Sequence, residues 1–483
     1  MPHEIDISSM DLGRFASVLP PDRLAEFERG VEEARALLDG TVVWNVNSTA
    51  HGGGVVELLR PLIAYARGAG VDARWIVIDG TPEFFTLTKR LHNRLHGAIG
   101  DGGPLDEEAR SVYTAVLAEN ANALAGRVQE GDVVIVHDPQ PAGMISSFRA
   151  AGAKVIWRCH IGIDEPNDLV REAWAFLYPY VVEADAYVFS REAFVWEGLD
   201  RDRTVVIQPS IDVFAPKNVD LEPDVVEAVL QASGILRNGE GPAPTFQRQD
   251  GTPGRIERQA RMVEDERLGP ETPVVLQVSR WDRLKDPFGV IQGFAEHVSP
   301  DLGAHLVYAG PDVEAVADDP EGLAVLREAV ALRARLPEEA RRRIHFASLP
   351  MEDDEENAII VNALQRHARV VVQKSIAEGF GLTVAEAMWK ARPVVASRVG
   401  GIQEQIVDGD TGLLLDDPRD LAAYGAAVTR LLADRGRAEE MGRRARERVR
   451  DRFISVRSLL DYLAVIRTLL RTGRPSAYSA SSR

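Results

Sequence analysis

The chain has 483 residues, 45% of them apolar and 27% charged, the balance of a folded globular protein and not of a disordered one. Lys and Arg number 56 against 74 Asp and Glu, so the formal net charge is −18. That field repels nucleic-acid backbones and anionic membranes, while leaving room for a local basic pocket that takes one small phosphorylated ligand. At roughly 150 residues per domain the length suggests two or three domains. The single cysteine, Cys159, excludes an intramolecular disulfide framework and a paired-cysteine metal cluster. No apolar run reaches the roughly 18 residues of a membrane span. The first residues lack the basic and apolar regions of a secretory leader, so a cytoplasmic protein is expected.

Short runs rich in β-branched residues alternate with helical patterns. In the first half these are TVVWNVN (41–47), ARWIVID (73–79), DVVIVHD (132–138), KVIWRCH (154–160), AYVFS (186–190) and TVVIQPS (204–210). Several are apolar on successive positions, as in parallel strands covered on both faces. Helical spacing fills the gaps, for example over 55–67 and 106–128. The second half repeats the theme with VVLQVSR (274–280), HLVYAG (305–310), RIHFAS (343–348), RVVVQKS (369–375), PVVAS (393–397) and GLLL (412–415). Between the halves, 218–267 carries a stretch rich in Gly, Pro and polar residues that reads as a connector or insertion. The last residues are small and polar and are expected to fray. The pattern predicts an α/β protein with two Rossmann-like domains facing a central cleft. The first spans 1–213, a linker or insertion 214–267, and the second 268–455. Ligands of such sheets bind at the carboxyl ends of the strands.

The motifs with chemical content all follow strands. His51-Gly52-Gly53-Gly54 opens a helix, where glycines and unpaired N–H groups suit a phosphate or a sugar hydroxyl; a tight turn is the plainer reading. In SRWDRLKDP (279–287), Arg280 and Lys285 could neutralise a diphosphate, Arg as a fork and Lys as a point charge, or could be a solvated loop. EGFGLTVAE (378–386) places Glu378 before Gly379, Phe380, Gly381, Leu382 and Thr383, with Glu386 one turn into a helix. Its amides suit a diphosphate, Glu386 two ribose hydroxyls, and Glu378 the hydroxyls of a sugar. VGGIQEQI (399–406) is a further glycine loop opening a helix. HDPQPAG (137–143) and RCHIGIDEPN (158–167) each bring a His and an Asp to a strand end. His160 there could donate a hydrogen bond to a sugar hydroxyl or an oxyanion, or be structural. Gly-Lys-Ser/Thr phosphate loops, HExxH and GxSxG are absent from the sequence.

EGFGLTVAE resembles the Glu-x7-Glu signature of the retaining GT-B glycosyltransferases of family GT4, and SRWDRLKDP their Arg/Lys diphosphate motif. With VWNVNSTAHGGGVVELL, VHDPQP, WRCHIGIDEPN and VGGIQEQIVDGDTGLLL, the chain from about 41 to 415 is similar to the trehalose glycosyltransferring synthases within that family. It departs from them in a long 233–262 stretch and in the run after His160. The resemblance implies a GT-B fold whose last helix, 456–472, crosses back onto the first domain. It implies a retaining glucosyltransferase that makes α,α-trehalose from NDP-glucose and glucose, reversibly, leaving NDP. A GT4 enzyme with another sugar or an aminocyclitol as acceptor, and a retaining trehalose phosphorylase, are the alternatives.

By the same resemblance, Arg280 and Lys285 bind the donor diphosphate, Glu386 holds the ribose, and Glu378 with Gly379–Leu382 holds the transferred glucose. Gly53 and Gly54 line the pyrophosphate side, and His160 contacts the transferred sugar. Asn47, Asp138 and Gln140 face the acceptor. No metal site or cofactor is required, Mg2+ acting as a stimulant at most. The expected partners are ADP-, UDP- or GDP-glucose and glucose or trehalose, with no nucleic acid and no membrane; a homodimer is the expected assembly if there is one.

Overall fold

The structure is a computed structural model that describes residues 1–50, 53–237, 243–313 and 320–472. His51, Gly52, part of the Gly/Pro-rich stretch and the polar tail after Thr472 lie outside these residues. Contacts divide the chain into two compact units, Met1–Ser210 with the chain from Ile454 onward, and Ile211–Phe453.

The first unit is built on seven strands: β1 (His3–Ile5), β2 (Val42–Asn47), β3 (Asp72–Val77), β4 (Val133–His137), β5 (Lys154–Cys159), β6 (Ala186–Phe189) and β7 (Thr204–Val206). Their order is β1-β3-β2-β4-β5-β6-β7, with β1 antiparallel and the rest parallel. Every residue of β4 is buried, as an apolar run covered on both faces requires. Alternation sends Trp44, Val46, Val134, Val136 and Trp157 into one core layer and Val43, Val133, Ile135 and Ile156 into the other. The helix Ser455–Thr472 belongs to this unit; Tyr462, Val465, Ile466 and Leu469 join the second layer, and Arg467 pairs with Glu33 at 3.0 Å.

The first strands of the second unit form a hairpin, β8 (Thr245–Gln247) and β9 (Pro253–Arg255). Its main sheet comprises β10 (Arg261–Val263), β11 (Val274–Val278), β12 (His305–Pro311), β13 (Ile344–Leu349), β14 (Val370–Gln373), β15 (Val394–Ser397) and β16 (Leu413–Leu415). The order is β10-β13-β12-β11-β14-β15-β16, again parallel except at the β10 edge. Among the described residues no helix is long and apolar enough to cross a membrane.

The twelve sequence-predicted strands are present. The three-residue strands β1, β8, β9 and β10 were not predicted, because a segment that short carries no period and forms only by pairing with a partner. The stretch 214–267, read above as a linker or insertion, lies within the second unit. It contributes the helix Pro223–Ala232, the hairpin and edge strand β10. Arg248 grips Asp353 and Glu355, Arg258 grips Glu356, and Asn362 donates to the carbonyls of Pro216 and Val219 at 2.9 and 2.8 Å. Composition cannot report ion pairs between residues about a hundred positions apart.

Both sheets reverse their winding once, between β2 and β4 in the first and between β11 and β14 in the second. At such a switch point the loops leave the two central strands in opposite directions and open a crevice at their carboxyl ends.

Candidate functional site

In the second unit the loops after β11 and β14 form that crevice. Gln277, fully buried on β11, ties them together: its Nε2 donates to the Lys285 carbonyl at 2.8 Å, and its Oε1 accepts from the Lys374 N–H at 3.2 Å. Asp286, in the left-handed region at φ 49°, caps the helix Pro287–His297 through Gly289 N–H and pairs with the buried Lys374. With the loops so tied, Lys285 Nζ donates to Glu378 Oε2 at 2.6 Å, and Ser375 Oγ donates to the same oxygen at 3.2 Å. Thus the structure brings Lys285 and Glu378 together across the switch point. Arg280 stands apart, its side chain 67% exposed and bonded to Asp282 at 3.0 Å.

Glu378 leads into Gly379, Phe380 and Gly381, the last at φ 83° and at the start of the helix Leu382–Trp389. No side chain caps this helix. The amides of Leu382 and Thr383 have no carbonyl a turn back within it, which leaves a partial positive charge at its mouth. A Cβ at Gly379 would meet nothing within 4 Å, so the chain there borders open space. Phe380 is buried, its ring against Phe453 at 5.9 Å, and Thr383 Oγ1 donates to Gln373 Oε1 at 3.1 Å. Glu386 is only 3% exposed, with Oε1 3.6 Å from Lys217 Nζ. Its Oε2 is buried without a hydrogen-bond partner.

In the first unit Asn47 ends β2, taking the Trp75 indole N–H at 2.8 Å and giving its own amide to the Thr49 carbonyl at 2.7 Å. Gly53 and Gly54 begin the helix Gly53–Gly68. Asp138, just past β4, has φ 63°, a strained setting for a non-glycine residue. Three bonds hold it: Oδ1 accepts the His160 N–H at 2.7 Å, its own N–H donates to the Arg158 carbonyl at 2.7 Å, and its carbonyl accepts the Trp157 indole at 3.1 Å. Burial pushes the Asp138 carboxyl up to about 7, opposed by the His160 N–H and Arg158. Gln140 is half-buried in the turn beyond it. His160 Nε2 lies 3.1 Å from His137 Nδ1, and His137 Nε2 lies 3.1 Å from Asn45 Oδ1.

Burial first, then Arg158, lowers His137 to about 3 and carries His160 well below its usual value. Unfolded histidines take up protons near 6.5, whereas these stay neutral when folded, so their contribution to stability is lost as pH falls from there toward about 3. Asp138 acts oppositely, since its folded carboxyl keeps a proton that the unfolded one releases above 4. Replacing His137 with Gln therefore flattens the loss of stability between pH 6 and 4 by up to about 1.4 kcal/mol per pH unit. Urea midpoints followed by tryptophan fluorescence check this; an unchanged slope means that His137 titrates normally in the fold.

Sequence reasoning did not single out Asn45, Gln277, Lys374, Ser375 or Lys217. A signal existed for Lys374: a lysine closing an otherwise apolar, buried strand needs a partner, here Asp286.

Comparison with known proteins follows the same two halves. Residues 45–196 match the family described as trehalose synthase, N-terminal domain, and residues 259–448 match glycosyl transferases group 1. The trehalose synthase of Rubrobacter xylanophilus is 37% identical over 91% of this chain and 93% of its own. A trehalose phosphorylase of Pleurotus pulmonarius is 27% identical over 87% of this chain but only 56% of its own. Sucrose-phosphate synthase from Thermosynechococcus elongatus superposes with a TM-score of 0.62 at 17% identity, covering 89% of this chain and 99% of that one. That likeness shows the fold, the GT-B type with two Rossmann-like sheets. Full-length similarity at that identity, on that fold, means that the chain belongs to the trehalose synthase family of group 1 glycosyltransferases.

Proposed function

We propose that this chain is a retaining glucosyltransferase that joins the glucose of an NDP-glucose to glucose, giving α,α-trehalose and NDP, and that runs in both directions. The observation that carries the nucleotide donor is Glu386 Oε2, a carboxylate oxygen buried one turn into the signature helix and lacking any donor. Ribose brings two neutral, vicinal hydroxyl donors to such an oxygen, whereas a phosphate dianion would bring like charge against it.

Breaking a glycosyl–phosphate bond builds positive charge on the sugar ring and negative charge on the departing diphosphate. Lys285, Arg280 and the uncapped amides at Leu382 and Thr383 stabilise the second, so the reading needs no required metal, and Mg2+ acts as a stimulant at most. Glu378, anchored through Oε2, keeps Oε1 for hydroxyls of the transferred glucose. Asn47, Asp138 and Gln140 serve the acceptor, and Asp138 Oδ1 is already committed to the His160 backbone. This reading assigns no carboxylate as a nucleophile; attack from the face of the leaving group, with a phosphate oxygen taking the acceptor's proton, preserves configuration.

The test is a product assay with ADP-, UDP- and GDP-glucose and a panel of sugar acceptors, then trehalose with NDP or with phosphate. Trehalose from NDP-glucose and glucose, and NDP-glucose in reverse, are expected. Glucose 1-phosphate from trehalose and phosphate, with no reaction of any NDP, overturns the reading in favour of a phosphorylase.

A further inference from the structure

The polar groups at the end of the first sheet form a row that alternation places on one face: Asn45 of β2, His137 of β4, and His160 just beyond β5. Asn45 and His137 are almost fully buried. The histidine rings stack, centroids 5.4 Å apart and planes 18° apart. Asn45 Nδ2 points to the Arg74 carbonyl at 3.5 Å, so its Oδ1 is the atom that faces His137 Nε2 at 3.1 Å.

With the Asn45 amide in this orientation, the donor and acceptor roles follow in order along the row. A carbonyl oxygen only accepts, so His137 Nε2 carries the proton. A neutral imidazole has one N–H, so His137 Nδ1 is a lone pair and can only accept. The facing atom, His160 Nε2 at 3.1 Å, must therefore carry a proton. That leaves His160 Nδ1 a lone pair, and this atom is buried with no partner. The backbone end of His160 is clamped as well, by Asp138 Oδ1 at 2.7 Å. Burial and the neighbouring Arg158 keep both rings neutral.

We propose that Asn45 and His137 are positioning residues that hold His160 as its Nε2–H tautomer, so that Nδ1 accepts a hydrogen bond from a hydroxyl of the substrate sugar. The identity of that hydroxyl's owner rests on the glucosyltransferase reading; the tautomer does not. His160 is then an acceptor at this atom and not the donor that the sequence suggested. Neither Asn45 nor His137 touches the sugar, and both act through the ring they orient.

The experiment uses the full chain labelled with 15N in its histidine rings. Two-bond 1H–15N spectra at pH 7.5, with His160 assigned by the signal that His160→Gln removes, are expected to show Nε2–H for both rings. Nδ1–H or an averaged, partly charged ring at His160 overturns the relay. In kinetics, His137→Leu is expected to lower kcat/KM for transfer by about 10- to 100-fold, with NDP affinity unchanged. His137→Gln, whose amide accepts from His160 and donates to Asn45, is expected to restore it to within about threefold. Equal impairment of both variants, with NDP still bound, makes His137 a packing residue and overturns the proposal. Absence of trehalose synthesis by the unaltered chain with Nε2–H signals intact would sink the glucosyltransferase reading and leave the relay standing.

Discussion

Lys285→Ala is expected to lower glucosyl transfer by about 100- to 1,000-fold while the chain still folds, the usual cost of removing one preorganised group aimed at developing negative charge. Lys285 is fixed at both ends. Its side chain is 15% exposed, its ammonium is held by Glu378 at 2.6 Å, and its carbonyl is held by Gln277 at 2.8 Å. The substitution has a second consequence. It strips Glu378, 12% exposed, of its counter-charge and leaves Ser375 as its remaining donor. The variant Lys285→Ala with Glu378→Gln, measured beside Glu378→Gln alone to account for the lost sugar contact, removes that cost and separates the two effects. If the lesion is the missing cation, the pair stays as slow as the single variant; if it is the orphaned carboxylate, the pair recovers. Arg280→Ala is expected to lower transfer too, since its exposed guanidinium can turn from Asp282 to a ligand. Steady-state kinetics with circular dichroism as the folding check decides these outcomes. Near-normal turnover in both Lys285→Ala and Arg280→Ala would falsify the diphosphate assignment.

Gly400→Ala is the second substitution with a large expected effect, although Gly400 touches no substrate in this scheme. Gly400 has φ 48°, and a Cβ there would lie 1.7 Å from the carbonyl oxygen of Glu378. The next residue locks the same two loops, Gly401 N–H donating to the Gly379 carbonyl at 2.9 Å, and Gln405 Nε2 donates to the Phe380 carbonyl at 2.6 Å. An alanine must therefore push the Glu378 backbone away and draw its carboxylate off Lys285. We expect activity to fall at least about 100-fold and stability by about 2–4 kcal/mol, the range of overpacking combined with backbone strain. Gly409→Ala is the control: φ is 77° there, but a Cβ would meet nothing within 4 Å. It should cost about 1 kcal/mol from the left-handed backbone alone and leave turnover intact. Full activity in Gly400→Ala would mean that the two glycine loops are not mechanically coupled.

The motif glycines show how far a sequence carries this kind of reasoning. Gly381 and Gly400 both sit at positive φ, where the loops between strand and helix turn sharply. Reading the glycines as sharp turns after buried strands needed only their spacing and the apolar runs before them. That Gly400 fits under the Glu378 carbonyl needed coordinates. The polar residues divide the same way. Lys285 and Glu378 were legible as candidates because each stands in a loop of unusual composition. Their bond across β11 and β14 was not, because the two lie 93 residues apart in the chain.

Other features were hidden for definite reasons. Lys374 and Asn45 lie within or at the end of runs dominated by Val, Ile and Trp, where a single polar residue does not disturb the pattern that marks a strand. Their meaning comes from Asp286 and His137, supplied by neighbouring strands or by the loops beyond them. The stretch 214–267 looked like a connector because Gly, Pro and charge are locally indistinguishable from solvated chain; Arg248 and Arg258 become anchors only beside Asp353 and Glu356.

By itself, then, the sequence determined the two α/β sheets and the strand ends at which chemistry would sit. Burial of a strand on both faces forces successive apolar residues, and a sharp turn at positive φ forces glycine; both are local demands. The tertiary structure decided which polar groups meet, how Asp138 is held at φ 63°, and which ring nitrogen of His160 faces His137. These depend on pairing between strands distant in sequence, where the energy of a buried hydrogen bond belongs to two residues at once and cannot be read from either.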